Sequence, residues 1–310
     1  MTGIFKLDTM NNMEIRVLKY FLAVAREGSI TRAANSLHLT QPTLTRQIQE
    51  LEKELNQKLL IRGKHKVTLT AEGVILKNRA QEIVDLVEKT EAEFNSISDT
   101  ISGDIYIGGG ETDSMKYIAQ ILKEIQEEYP NIKYHIHSGN AEDVTEKLDK
   151  GLLDFGLLIQ PIDLEKYDYY PLPAKDRWGV VMRKDSPLAQ KDFITLEDLY
   201  GLPLLNSRQA LRKTSTKNEF IEWFGGHFDE LNTVATFNLV YNAAVMVKAG
   251  LGYAITLDKL VDISQESELS FRPLSPKLES GLYIVWKKNQ VFSPAAALFL
   301  KLFKEQLVPY

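Results

Sequence analysis

Residues 21–55 read FLAVAREGSITRAANSLHLTQPTLTRQIQELEKEL, and their apolar spacing decides the fold of the amino-terminal part of the chain. Together with Ile15 and Leu18, the side chains of Phe21, Leu22 and Ala25 share one face at helical spacing. A helix is therefore expected over 14–27, stopped by Gly28. Ser29 or Thr31 is placed to cap a short second helix whose buried face is Ala33, Ala34 and Leu37. The small alanines let another helix approach closely. His38 and Leu39 make the turn, and Thr40 opens a third helix with Pro42 in its first turn, where no N–H is missed. There Leu44, Ile48, Leu51 and Leu55 recur at spacings of 4, 3 and 4, which leaves Thr43, Thr45, Arg46 and Gln49 on exposed faces.

Such a succession is a helix-turn-helix with the third helix as the recognition helix for double-stranded DNA. The candidate contacts are Ser29, Thr31, Arg32, Gln41, Pro42, Thr43, Thr45, Arg46 and Gln49. Hydroxyls and amides reach phosphates or base edges, and Arg46 suits a bidentate contact with guanine or a phosphate. A plain three-helix bundle with an incidentally polar face would serve only association. Against it stands the absence of any carboxylate between Thr31 and Gln49, with Glu50, Glu52 and Glu54 expected away from the groove. Residues 59–70, LLIRGKHKVTLT, then suggest two short strands about a turn at Gly63 and Lys64. Arg62, Lys64, His65 and Lys66 cluster at its tip, as in a wing lying on the DNA backbone.

Thr70 caps a long helix expected to run to about residue 97, about 40 Å at 1.5 Å per residue. Leu76, Ala80, Ile83, Val87, Thr90, Phe94 and Ile97 alternate at spacings of 4 and 3. A seam of that length at the edge of a small domain points to dimerisation, with Leu76, Ala80, Ile83, Val87 and Phe94 as its contacts. Residues 96–103 are polar enough to form a hinge.

Composition sets the bounds. A chain of 310 residues suits about two domains. It has no cysteine, which excludes disulfides, thiol nucleophiles and thiolate metal sites. No apolar run approaches the ~18 residues of a membrane span, and the first residues lack a signal-peptide core, so a cytoplasmic protein is expected. The formal net charge of −5 conceals an asymmetry: residues 13–66 hold ten basic and five acidic side chains, so they carry +5 and the rest −10. That division suits a nucleic-acid-binding module joined to an acidic domain.

The 21–55 stretch resembles the DNA-binding domain of LysR-type transcriptional regulators. The similarity lies in Gly28, Ser29, Thr31, Ala33 and Ala34, in Leu37, in Gln41-Pro42, in the Thr45-Arg46-Gln47-Ile48 run, in Leu51-Glu52, and in Leu69, Thr70 and Gly73. Asn56 and Leu60 depart from the family's usual glycine and phenylalanine. Because family members commonly begin just before the first helix, Met13 is the expected start and 1–12 an extension expected to be disordered. The resemblance implies an α+β multidomain protein: an N-terminal winged helix-turn-helix over 13–70, a linker and dimerisation helix with its hinge over 71–103, and a regulatory domain over 104–310. That domain would be an α/β periplasmic-binding-protein-like (type 2) effector domain of two subdomains, about 104–172 with 273–310, and about 173–272. The implied protein is a homodimeric or homotetrameric, sequence-specific regulator, controlled by a small-molecule effector between the subdomains and touching RNA polymerase if it activates.

Beyond the hinge, strands are expected at 105–108, 132–137, 153–159, 177–182, 202–205, 234–237, 253–256, 269–274 and 282–287. Helices are expected at 113–128, 141–150, 215–224, 239–249 and 293–307, over mostly parallel sheets. Ligands of such sheets lie beyond the carboxyl ends of strands. Gly110, Glu111, Thr112 and Asp113 form one such turn, where backbone N–H groups could hold an anion, Asp113 or Thr112 could simply cap the helix, or the carboxylates could receive an amine. The resemblance places Asn206, Ser207, Arg208, Asn238 and Tyr241 at the cleft too. Arg208 suits a ligand carboxylate, or else pairs on the surface in a basic stretch with Arg212 and Lys213. His135 and His137 share a strand face without a third ligand nearby, so a structural role is expected, and no metal or cofactor is implied. Trp178, Trp223 and Trp286 read as core anchors. No catalytic motif appears, so a solute-binding protein or enzyme with an amino-terminal association module remains only the alternative.

Overall fold

A computed structural model describes residues 13–63, 66–95, 101–208, 210–211 and 218–307. The chain divides into two compact units between Ala92 and Glu93.

In the first unit, α1 (Ile15–Glu27) ends at Gly28, whose φ of 59° is left-handed and whose N–H returns to the Val24 carbonyl. Ser29 caps α2 (Ile30–Ser36) by accepting the Arg32 N–H at 3.4 Å, so Ser29 rather than Thr31 is the cap. Thr40 caps α3 (Gln41–Glu54) by accepting the Thr43 N–H at 3.4 Å. Phe21, Val24, Ala33, Leu44 and Ile48 close the core between the three helices, and the small Ala33 and Ala34 are buried there. An antiparallel hairpin follows, β1 (Leu60–Arg62) and β2 (Val67–Leu69), with Leu60 opposite Leu69. It is tied back to the turn after α1 by the Val67 N–H, which donates to the Gly28 carbonyl at 2.9 Å.

α4 (Ala71–Asn95) is the long helix. Its expected seam is divided. Ala80 is fully buried against Leu18 and Val84, and Leu76 packs half-buried in the same place, because the outer face of α1 needs cover within its own unit. Ile83 and Phe94 stay exposed, beside Val74, Ile75 and Leu86, while Val87 is half-buried. Ile97 and most of the expected hinge, like 1–12, lie outside the described residues.

The second unit contains β3 (Gly103–Gly109), α5 (Met115–Glu128), β4 (Ile132–Ser138), α6 (Ala141–Asp149) and β5 (Phe155–Ile159). Then come β6 (Tyr167–Arg183), β7 (Leu204–Ser207), α7 (Glu219–Trp223), β8 (Thr233–Phe237) and α8 (Val240–Lys248). β9 (Tyr253–Leu257), β10 (Leu269–Pro273), β11 (Glu279–Lys287) and α9 (Pro294–Gln306) complete it. The strands run β4-β3-β5-β11-β6-β9-β7-β8, with β10 on β6.

β6 joins the two halves of this sheet. Residues 167–177 pair with β11, and the pairing passes to β9 and β10 from Trp178 onward. Only 177–182 was expected as strand, because Pro171 and Pro173 make the preceding residues resemble a loop. The expectation of mostly parallel sheets is also corrected. β3 pairs parallel with β4 and β5, and β7 with β8 and β9, while the pairings of β6 with β9, β10 and β11 and of β11 with β5 are antiparallel. Strands that cross between the halves run against those within each half, which makes the sheet mixed.

Trp178 and Trp286 are buried, and Trp178 donates its indole N–H to Ser280 Oγ at 2.8 Å. Trp223 is half-buried against the core and donates to the Pro276 carbonyl. His135 lies against Asp104 at 2.8 Å and stacks on Tyr106. No metal-ligand cluster occurs among the described residues.

Candidate nucleic-acid interface and ligand cleft

α3 presents Gln41, Pro42, Thr43, Arg46 and Gln49 outward, and α2 adds Thr31 and Arg32. The Arg32 guanidinium donates to the Glu27 carbonyl, which holds it at the start of α2. Ser29 is half-buried, with its hydroxyl engaged in the cap. Two expectations change here. Thr45 is half-buried and its hydroxyl is enclosed rather than outward, because one turn of α3 carries it toward the Leu44 and Ile48 stripe. Nor is Glu50 clear of the surface, since it accepts the Arg46 Nε–H at 2.8 Å across one helical turn. The Arg46 side chain nonetheless remains 80% exposed. Arg62 is exposed on β1, while Lys64 and His65 lie outside the described residues.

Glu52, read in the sequence only as a carboxylate away from the groove and as part of the family resemblance, positions the wing. Glu52 is only 5% exposed, and one carboxylate oxygen accepts the N–H groups of Leu59 and Leu60 at 2.9 and 3.3 Å. The other oxygen receives the Lys58 ammonium at 3.1 Å. Burial opposes the charge, but the Leu59 N–H, Lys58 and the Leu60 N–H together hold the Glu52 pKa below the usual carboxylate value. Its sequence signal was slight: a carboxylate one position past Leu51, on the inner side of the stripe.

In the second unit a small, partly open cavity lies where the two halves of the sheet meet. Gly110 and Glu111 enter it from the turn after β3, and Ile159 and Gln160 from the end of β5. β6 contributes Trp178, and the far end of β7 contributes Ser207 and Ala210. The turn into α8 supplies Phe237, Asn238 and Val240, and Thr256, Leu257 and Leu260 close the remaining side.

Of the expected cleft residues, Gly110, Glu111, Ser207 and Asn238 line this cavity. The others do not. Thr112 is buried and donates its hydroxyl to Asp176, while accepting the Ser114 N–H at 3.0 Å just before α5. Asp113 turns to Lys116 at 2.6 Å and Lys259 at 3.6 Å, and the Lys116 hydrogen bond holds its pKa low. Asn206 is fully buried and donates to Thr233 Oγ1 at 2.8 Å, because side chains alternate along β7 and Ser207 takes the cavity side. Arg208 and Tyr241 are exposed outside the lining, and Gln209, Arg212 and Lys213 lie outside the described residues.

Two carboxylates tie the turn after β3 to other elements. Glu111, from the half containing β3, accepts the backbone N–H of Val240, the first residue of α8 in the other half. That N–H has no partner within its helix, and the N-terminal end of a helix favours negative charge. Asp176 is buried on β6 and receives the hydroxyls of Thr112 and Ser114, yet burial holds its pKa above the usual value.

Residues 15–74 match the family model described as a bacterial regulatory helix-turn-helix protein of the lysR family, and residues 98–308 match the LysR substrate binding domain. The chain is 29% identical over 295 residues to the uncharacterized HTH-type transcriptional regulator YvbU of Bacillus subtilis, covering 94% of this chain and 98% of that one. It is also 29% identical over 296 residues to HcaR of Escherichia coli, the Hca operon transcriptional activator, covering 95% and 98%. The fold resembles full-length CbnR in complex with its target DNA, with a TM-score of 0.72 at 20% identity over 94% of this chain and 99% of that one.

Proposed function

The chain belongs to the LysR family of helix-turn-helix transcriptional regulators, and we propose that the exposed face of α2 and α3 reads its operator while the cavity at Glu111 holds its effector. It is a DNA-binding transcriptional regulator with an effector-binding domain. The observation that carries the assignment of residues is the outward face of Thr31, Arg32, Gln41, Thr43, Arg46 and Gln49, with Arg46 the exposed cation at its centre. Arg46 and Gln49 make base-edge contacts, while Arg32, Arg62, Lys64 and His65 meet phosphates and set the salt dependence.

In this reading 13–70 forms the DNA-binding domain, 71–103 the linker and 104–310 the regulatory domain. Two chains associate through α4, where the exposed Ile83 and Phe94 support a self-contact. The dimer then reads two half-sites, and effector binding changes how the halves of the regulatory domain close. The protein works in the cytoplasm and contacts RNA polymerase where it activates; the naming of HcaR as an operon activator supports that role. Footprinting on the chain's own promoter region tests the assignment. Salt-sensitive protection that is lost in Arg46→Ala is expected, and protection unchanged by that substitution overturns it.

A further inference from the structure

We propose that the effector is a small organic cation, an ammonium group on an apolar or aromatic body, and that Glu111 is its counter-ion. This rests on the cavity being the effector site.

Among the described residues lining the cavity, Glu111 alone is ionisable. The polar remainder, Gln160, Ser207, Asn238 and Thr256, is neutral. The nearby cations are engaged or outside: Lys116 and Lys259 both turn to Asp113, and Arg208 lies beyond the lining. A carboxylate ligand would therefore face the Glu111 carboxylate in a partly dry space with no described cation to offset the repulsion. The leading N–H of α8, the natural resting place for an anion, is already taken by Glu111 itself.

An ammonium group meets the opposite situation. Glu111 is held by Val240, so its position is set before a ligand arrives, and a carboxylate has acceptor sites beyond the one that bond uses. Charge-assisted hydrogen bonds are the strong ones. The rings of Trp178 and Phe237 stand in the same cavity, where aromatic faces favour a cation and cover an apolar body. Because Glu111 and Val240 belong to opposite halves of the sheet, a cation bound at Glu111 sits on the contact between them.

The test is a thermal-shift titration of the full chain with paired probes of the same skeleton: benzylamine against benzoate, phenethylamine against phenylpropanoate, and butylamine against pentanoate. At least one amine is expected to raise the melting temperature with increasing concentration, while its carboxylate partner does not. Glu111→Gln keeps an oxygen for the Val240 N–H, and in it that amine is expected to bind at least about tenfold more weakly. Stabilisation by the carboxylates with the amines silent overturns the proposal, as does amine binding unchanged in Glu111→Gln, or no amine binding at all. A cavity-filling Ser207→Phe variant separates the two readings. Loss of carboxylate binding in it keeps the cavity as the effector site while the cation is refuted; probe binding that survives it refutes the cavity.

Discussion

The Glu52 carboxylate accepts the Leu59 N–H at 2.9 Å, so the end of the recognition helix and the start of the wing are joined by a buried ion. Glu52→Ala leaves the Leu59 and Leu60 N–H groups without that acceptor and is expected to destabilise the DNA-binding unit by about 1–3 kcal/mol. Hydrogen exchange at those two amides should accelerate in step. Glu52→Gln retains an oxygen for both and should cost less. The pH dependence follows from the lowered pKa: the contribution is complete above the ordinary value of 4.5 and is lost as pH falls through the lower folded value. Acid unfolding of this unit should lose that component in Glu52→Gln.

Gly73 faces the same junction. A Cβ there would stand 2.1 Å from the Leu59 carbonyl oxygen, a backbone atom that cannot swing away. The Gly73 N–H also donates to Thr70 Oγ1 at 2.9 Å, and that hydroxyl donates to the Lys58 carbonyl at 2.7 Å. Gly73→Ala, normally favourable in a helix, should instead destabilise by about 1–3 kcal/mol or more. Unfolding followed by hydrogen exchange of α4 checks it, and unchanged protection would contradict the contact.

Arg46→Ala separates stability from binding. Its bond with Glu50 is a solvent-screened surface pair at one-turn spacing, so folding should barely change. Operator affinity, measured by fluorescence anisotropy, should fall by about tenfold or more if the contact is to a base, with relaxed discrimination at one position. A uniform loss across sequences with a shallower salt slope would assign Arg46 to phosphate instead.

Asp176 behaves oppositely to Glu52. Burial raises its pKa despite the Thr112 and Ser114 hydroxyls, so the folded protein holds this proton more tightly than the unfolded chain. Stability should therefore rise as pH falls from above the folded value toward the ordinary value near 3.8. Asp176→Asn should lose that component and, near neutral pH, keep the fold at little cost. All three tryptophans lie in the second unit, so urea titrations followed by tryptophan fluorescence at several pH values report it selectively.

The DNA-binding unit was legible because its information is local. The 4, 3 and 4 spacing of Leu44, Ile48, Leu51 and Leu55, with Gly28, Ser29 and Thr40 at helix ends, specifies three helices before any long-range contact forms, since capping and periodicity act within one or two turns. The family followed from the same residues. What the tertiary structure alone decided concerns partners distant in sequence. Glu52 looks like another surface glutamate until the wing folds over it, and Leu76 and Ala80 look like a dimer seam until α1 covers them. At the cleft the turn after β3 was recognisable, but whether the Glu111 carboxylate only faces a ligand or also reaches another element depends on Val240, which comes beside it only when β6 carries the chain into the second half of the sheet. Periodicity reports which face of an element is buried; it carries no record of what that face is buried against.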